Sequence, residues 1–255
     1  MKRIALLIGN SNGLPGVNLD IANWKKFLMS DKGGLWYENE IRILMNPEKI
    51  ALLSCIKAIK DSKPDFAIIV FSGHGAYRRS MSTVLEINKQ GEKIDENNLI
   101  GIAPRQISVF DCCREVLSEK LLELQNPVQI FAEGGVMQLN IRPYYDNRMM
   151  EAMPQQICLY ACSVGESAVD IKRGGIYTDN LLRCSSSFRS SECYKLVKDA
   201  HNEARYWTRT VALTRCNYTQ NPELIFKTEC PSEPQLIIGI NPKCFKREEF
   251  NLSRR

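Results

Sequence analysis

Apolar residues in this chain follow two spacings. Runs of strand length, rich in β-branched residues, occupy 3–9, 65–71, 106–111 and 156–162; between them apolar residues recur every three or four positions. Such runs suit strands buried on both faces, as in a parallel sheet covered by helices. Val17, Ile21, Trp24, Phe27 and Leu28 predict a helix over 17–30. A strand at 40–45, a helix at 47–59 and the strand leading to His74 follow. That βαβαβ order predicts a parallel sheet with right-handed crossovers. Residues 76–105 read as polar and irregular, with a short hairpin strand at 83–87. Beyond Asp111 the pattern predicts a helix over 115–124, room for a short strand within 126–140 and an amphipathic stretch at 144–153. The buried strand 156–162, a turn-rich loop at 163–175, helices at 177–183 and 193–207 and a last strand at 235–240 complete the order. The tail at 243–255 is charged and reads as loosely ordered.

Composition narrows the class. At 255 residues, 44% apolar and 25% charged, the chain fits one soluble globular domain with a sizeable core. The net charge of +5 is mild and its Lys and Arg are scattered among acids, which argues against a nucleic-acid partner. No apolar stretch approaches the roughly 18 residues of a membrane span. The apolar run after Met1-Lys2-Arg3 is too short for a signal peptide and no small-residue cleavage site follows. A cytoplasmic protein with no membrane partner is the expectation. Ten cysteines include no CxxC pair, and there are only two histidines, so neither a zinc site nor a cofactor is expected. Reduced thiols are the simplest account of the cysteines.

Chemistry gathers at two strand ends, Ser72-Gly73-His74-Gly75 and Asp111-Cys112-Cys113. Ligands of parallel sheets sit beyond the carboxyl ends of the strands. A histidine and a thiol brought together there make a cysteine nucleophile with its base. A histidine after a strand is ordinarily structural, but Gly73 and Gly75 permit a tight turn and close backbone approach. His201, among Lys198, Asp199, Asn202 and Glu203, reads as a solvated helix face. Spacing does not choose between Cys112 and Cys113; a helix starting just after them would stabilise a thiolate. The glycine-rich stretch 9–16 lacks GxGxxG spacing, and no acidic residue ends the second strand in the place a dinucleotide site needs.

Ser72-Gly73-His74-Gly75 followed by Asp111-Cys112-Cys113 resembles the S-G-H-G and D-x-C motifs of caspase-like peptidases, in particular the metacaspase and orthocaspase branch. Gly16-Val17-Asn18-Leu19-Asp20-Ile21-Ala22 resembles that family's G-x-x-x-D-A segment. Tyr160-Ala161-Cys162-Ser163 leading into Glu166-Ser167-Ala168 resembles its fifth strand and following turn, and Gly175-Ile176-Tyr177-Thr178 its G-x-F-T helix start. The resemblance implies an α/β, caspase-like three-layer sandwich: a mostly parallel six-stranded sheet with helices on both faces. It implies a peptidase domain over 1–242, with a large-subunit-like part over about 1–125, a connection over about 126–155, a small-subunit-like part over about 156–242 and a tail at 243–255.

By the same resemblance Cys113 is the nucleophile, His74 the base, and the N–H groups of Gly75 and Cys113 the oxyanion hole. Asp20, Ser72, Asp111 and Ser163 are the substrate-binding residues. The implied partner is a protein or peptide with Arg or Lys before the cleaved bond, and the implied role regulated cell death or defence. Paired carboxylates in a semi-enclosed pocket agree, because unpaired buried charge demands a cationic guest. The chain departs from the family where Arg114-Glu115-Val116 replaces a small residue after the nucleophile and Glu166 a common Gln. The acidic calcium cluster of many relatives is absent from 76–105, so no calcium requirement is expected. Activation then falls to a partner protein or to self-cleavage at Arg78-Arg79, Arg142 or Arg148. Two other classes compete: a catalytically silent caspase-like interaction module, and an α/β protein binding a nucleotide or small ligand at 9–16.

Overall fold

A computed structural model describes residues 1–78, 82–116, 140–171, 173–227 and 233–245. The chain forms β1 (Arg3–Gly9), α1 (Gly16–Met29), β2 (Ile41–Met45), α2 (Lys49–Asp61), β3 (Phe66–Ser72), β4 (Gly75–Arg78), β5 (Ser82–Glu86), β6 (Lys93–Asp95) and β7 (Arg105–Asp111). Then come α3 (Arg142–Glu151), β8 (Gln155–Tyr160), β9 (Asp170–Ile171), β10 (Gly174–Gly175), α4 (Ile176–Ser185), β11 (Tyr194–Leu196), α5 (Val197–Cys216), β12 (Glu223–Lys227) and β13 (Ile237–Ile240). The central sheet has six strands in the order β2-β1-β3-β7-β8-β12, parallel throughout except for the antiparallel β12.

The unbroken apolar runs arise because every residue of β1 and β3 is buried. Side chains alternate between sheet faces. Ala5 and Leu7 join a core with Trp24 and Leu28 of α1, Tyr145 of α3, Tyr177 of α4 and Ala204 of α5. Ile4, Leu6 and Ile8 join a second core with Leu52, Ile56 and Ile59 of α2 and with Leu85 and Ile94 of the small sheet β4-β5-β6. The mostly parallel sheet therefore carries helices on both faces, a three-layer sandwich. Winding from β1 out to β2 and back to β3 reverses direction, so right-handed crossovers place α1 and α2 on opposite faces. The crevice opens where the order reverses, at the carboxyl ends of β1 and β3. Register lines up Gly9, Ser72 and Asp111 across three strands there.

Several expectations need correction. Within 76–105 the described residues form a three-stranded antiparallel sheet, β4, β5 and β6, followed by a short 3-10 turn over Glu96–Leu99. Glu115 and Val116 are not helical: Val116 bridges Tyr77, and the Tyr77 amide bonds the Glu115 carbonyl at 2.9 Å. The remainder of the expected 115–124 helix, the strand expected within 126–140 (save Asn140), Arg79 and the tail from 246 onward lie outside the described residues. β13 does form, but it pairs with β11 in a separate ribbon; the sixth strand of the main sheet is β12. Arg142 and Arg148 lie within α3 rather than in a loop. Arg142 is held there by Glu40, and Arg148 donates to the Gln235 carbonyl. Cys193 and Cys244 are joined by a disulfide that pins residues 242–244, contrary to the all-reduced expectation.

Candidate active site

β3 runs straight to Ser72, and the chain then turns through Gly73 to present His74. His74 Nε2 lies 2.6 Å from the Asn12 carbonyl, on the loop after β1. A carbonyl only accepts, so Nε2 carries the proton and Nδ1 is left as the proton acceptor. The His74 carbonyl in turn accepts the Glu86 amide at 3.0 Å. Gly75 begins β4 and packs so tightly on the neighbouring strand end that a Cβ there would lie 2.5 Å from Cys112 Sγ and 2.8 Å from the Cys113 carbonyl. Only glycine lets the histidine strand approach the cysteine strand this closely.

Alternation settles which thiol is accessible. Phe110 and Cys112 both enter the core on the α2 side, and Cys112 is 1% exposed. Cys113 points the other way, partly exposed, with Sγ donating to the Ala168 carbonyl at 3.8 Å. Burial pushes both thiols up, so Cys113 rests protonated beneath the 163–169 loop. Residues 114–116, which follow it directly, are not helical.

On the Cys113 face, two carboxylates are buried. Asp20, on α1, accepts from Ser72 Oγ at 2.7 Å and from the Gly175 amide at 3.0 Å. Asp111 accepts from Thr178 Oγ1 at 2.6 Å and the Thr178 amide at 3.1 Å. Gly174 and Gly175 of β10 lie flat against them: a Cβ would run into the carboxylates of Asp20 and Asp111 respectively, and Gly174 has φ +104°, which an L side chain rarely adopts. Asp170, packed on Gly16, adds a third carboxylate that the sequence reading missed. Burial first, then repulsion from Asp111, raises the Asp20 pKa well above the usual carboxylate range. Burial raises Asp111 to about 6 against the pull of Thr178, and Asp170 adds to the rise.

Ser163 does not join them; its Oγ donates to the Asn221 carbonyl at 2.9 Å and its amide to Glu166. Glu166, in place of the common Gln, also takes the Asn221 amide, and its carbonyl accepts the Arg114 amide at 2.9 Å. Arg114 is 3% exposed. Its guanidinium sits over the rings of Tyr160 (4.0 Å) and Tyr77 (5.3 Å) and bonds Thr83, the Cys162 carbonyl and Glu223. His201 is not solvated: it is 1% exposed and its Nδ1 is hydrogen-bonded with the Tyr177 hydroxyl at 2.8 Å, with burial lowering its pKa to about 4. Among the described residues, no three His, Cys, Asp or Glu side chains converge as a metal site, and no helix is long and apolar enough to cross a membrane.

A sheet of this order bearing histidine and cysteine at adjacent strand ends defines a class, and the family comparison agrees with it. The caspase domain of the peptidase C14 family matches residues 2–229, and the chain belongs to that family. The family acts on protein substrates as cysteine peptidases and also includes inactive members. Its fold is similar to the crystal structure of protein GSU0716 from Geobacter sulfurreducens, at 14% identity and a TM-score of 0.52, covering 93% of this chain and 100% of that one. No curated protein matches the chain.

Proposed function

We propose that the protein is a cysteine endopeptidase of the metacaspase and orthocaspase kind, cleaving proteins after Arg or Lys, with a role in regulated cell death or defence. The observation that supports this best is the pair Asp20 and Asp111 beside Cys113. Among the described residues they are bonded by the neutral donors Ser72, Gly175 and Thr178, and neither forms an ion pair with Lys or Arg. Burial without a cation raises the proton affinity of both carboxylates; an arriving guanidinium, with its rigid fork of donors, favours the ionised forms.

In the proposed cycle His74 Nδ1 takes the Cys113 proton and the thiolate attacks the scissile carbonyl carbon. The Gly75 and Cys113 amides hold the oxyanion. His74 then returns the proton to the departing amine, leaving a thioester. Water, deprotonated by His74, releases the acid and regenerates the thiol. Initial rates on fluorogenic peptides ending in Arg, Lys, Asp or Gln test this, with Cys113→Ala alongside. Cleavage confined to Arg and Lys peptides and lost in Cys113→Ala is expected; cleavage that survives Cys113→Ala would sink the reading.

A Cys113 thiol whose proton affinity is raised by burial and whose Sγ meets the Ala168 carbonyl favours a latent form awaiting a partner or a cut, Arg78 at the exposed end of β4 being the candidate site. Labelling by an arginyl electrophile separates latent enzyme from silent module: slow labelling at Cys113 marks the former, none at all the latter.

A further inference from the structure

We propose that Asn10 is a positioning residue for His74, an inference that rests on the peptidase reading. Four hydrogen bonds start and end on the histidine. His74 Nε2 donates to the Asn12 carbonyl at 2.6 Å, and the Asn12 amide donates to Asn10 Oδ1 at 3.2 Å. Asn10 Nδ2 donates to the Glu86 carbonyl at 2.8 Å, and the Glu86 amide donates to the His74 carbonyl at 3.0 Å. One end of the circuit therefore holds the imidazole ring and the other holds its backbone, with the Asn10 amide closing the gap between them.

Asn10 is built for this place. It is fully buried, and its own amide donates to the Ser72 carbonyl at 2.9 Å, which fixes it to the end of β3. Gly73 packs on it so closely that a Cβ at Gly73 would lie 2.9 Å from Asn10 Cβ. The amide orientation is determined, because a flip would set Nδ2 against the Asn12 amide and Oδ1 against the Glu86 carbonyl. No other side chain of this length offers an acceptor and a donor side by side. Asp keeps the acceptor for Asn12 but opposes a carboxylate to the Glu86 carbonyl. Ala takes away the acceptor of the Asn12 amide and the donor to the Glu86 carbonyl together.

The consequence falls on the ring's direction. With Nε2 tied to the loop after β1, Nδ1 is the nitrogen left to serve Cys113 in the peptidase reading; once the loop is freed, the ring can swing, and small misplacements of a reacting group cost about 10²-fold in rate.

The test uses the full chain as wild type, Asn10→Asp, Asn10→Ala and Cys113→Ala, with an Arg-ending fluorogenic peptide and proton–nitrogen NMR of protein labelled at histidine. Only two histidines are present, and a His74→Gln sample assigns the signals. A wild-type His74 Nε2–H protected from exchange is expected. In both Asn10 variants that signal should vanish into solvent exchange while the His201 signal stays put, and kcat should fall about 10²-fold with KM within about twofold. An unprotected wild-type Nε2–H overturns the proposal without any variant, and so does a kcat in Asn10→Ala within about twofold of wild type. Wild-type cleavage that persists in Cys113→Ala sinks the peptidase reading instead, and the NMR arm still reports on the circuit.

Discussion

Asp111 and His201 are both perturbed by burial, with opposite consequences for the fold. Asp111 binds its proton more tightly when folded, at about 6 against an ordinary 3.8, so its contribution is full below pH 3.8 and is lost as pH rises through 6. His201 is held neutral, at about 4 against 6.5, so its contribution is full above pH 6.5 and is lost as pH falls through 4. Each is on the order of 3 kcal/mol at about 1.4 kcal/mol per pH unit, and in the wild type the two partly cancel. Urea unfolding at pH 7.5 and pH 4.5 should expose them separately. Asp111→Asn is expected to be more stable than wild type at pH 7.5 and to lose stability steeply on acidification, whereas His201→Gln should gain relative stability on acidification. Parallel pH profiles for the two variants would contradict both assignments. Asp111→Asn should also lose cleavage after Arg about 10²-fold, a site whose ionic partner is the substrate.

At the scale of elements, β12 matters most, since it closes the sheet on the far side of β8 and is tied to the end of β7 by Arg114 through Glu223. Arg114→Met removes a guanidinium that bonds β5, β12 and the Cys162 carbonyl and stacks on two rings, and should cost about 3 kcal/mol, chiefly by leaving Thr83 and the Cys162 carbonyl without their donor. Amide exchange across 223–227 should then accelerate more than across 3–9; equal acceleration would mean that Arg114 does not anchor β12. This strand was hard to read in the sequence. Glu223-Leu224-Ile225-Phe226-Lys227 is a partly buried antiparallel edge, so it lacks the unbroken run that made β1, β3, β7 and β8 legible. His201 was misread from its polar neighbours, although Val197, Ala200, Ala204 and Thr208 at helical spacing mark the buried face it shares. Parity along β7 could not have excluded Cys112, because Val109 on the Cys113 side is as buried as Phe110. Asp170 carries no such signal; the β9–β10 hairpin brings it to the site, and hairpin register is set by tertiary contacts.

At the scale of the molecule, the Cys193–Cys244 disulfide closes a loop with a sequence separation of 51 around α5, β12 and β13. Opening such a loop is expected to cost about 4 kcal/mol on the chain-entropy account. Reductant, or Cys193→Ser, should therefore lower Tm by several degrees while peptide cleavage at ambient temperature is kept; an unchanged Tm would mean that the bond is not formed in solution.

The pocket has a divided ancestry within the chain. Residues up to 113 supply the thiol, the imidazole and the carboxylates of Asp20 and Asp111, while the glycines that shape the space over those carboxylates, and the threonine that holds Asp111, come from 174–178. On the peptidase reading, the carboxylates that select a cation are thus encoded with the reactive groups, and the residues that shape and hold them far away in the gene. If the peptidase reading holds, drift around 174–178 would reshape the space over the carboxylates of Asp20 and Asp111 while His74 and Cys113 are inherited intact.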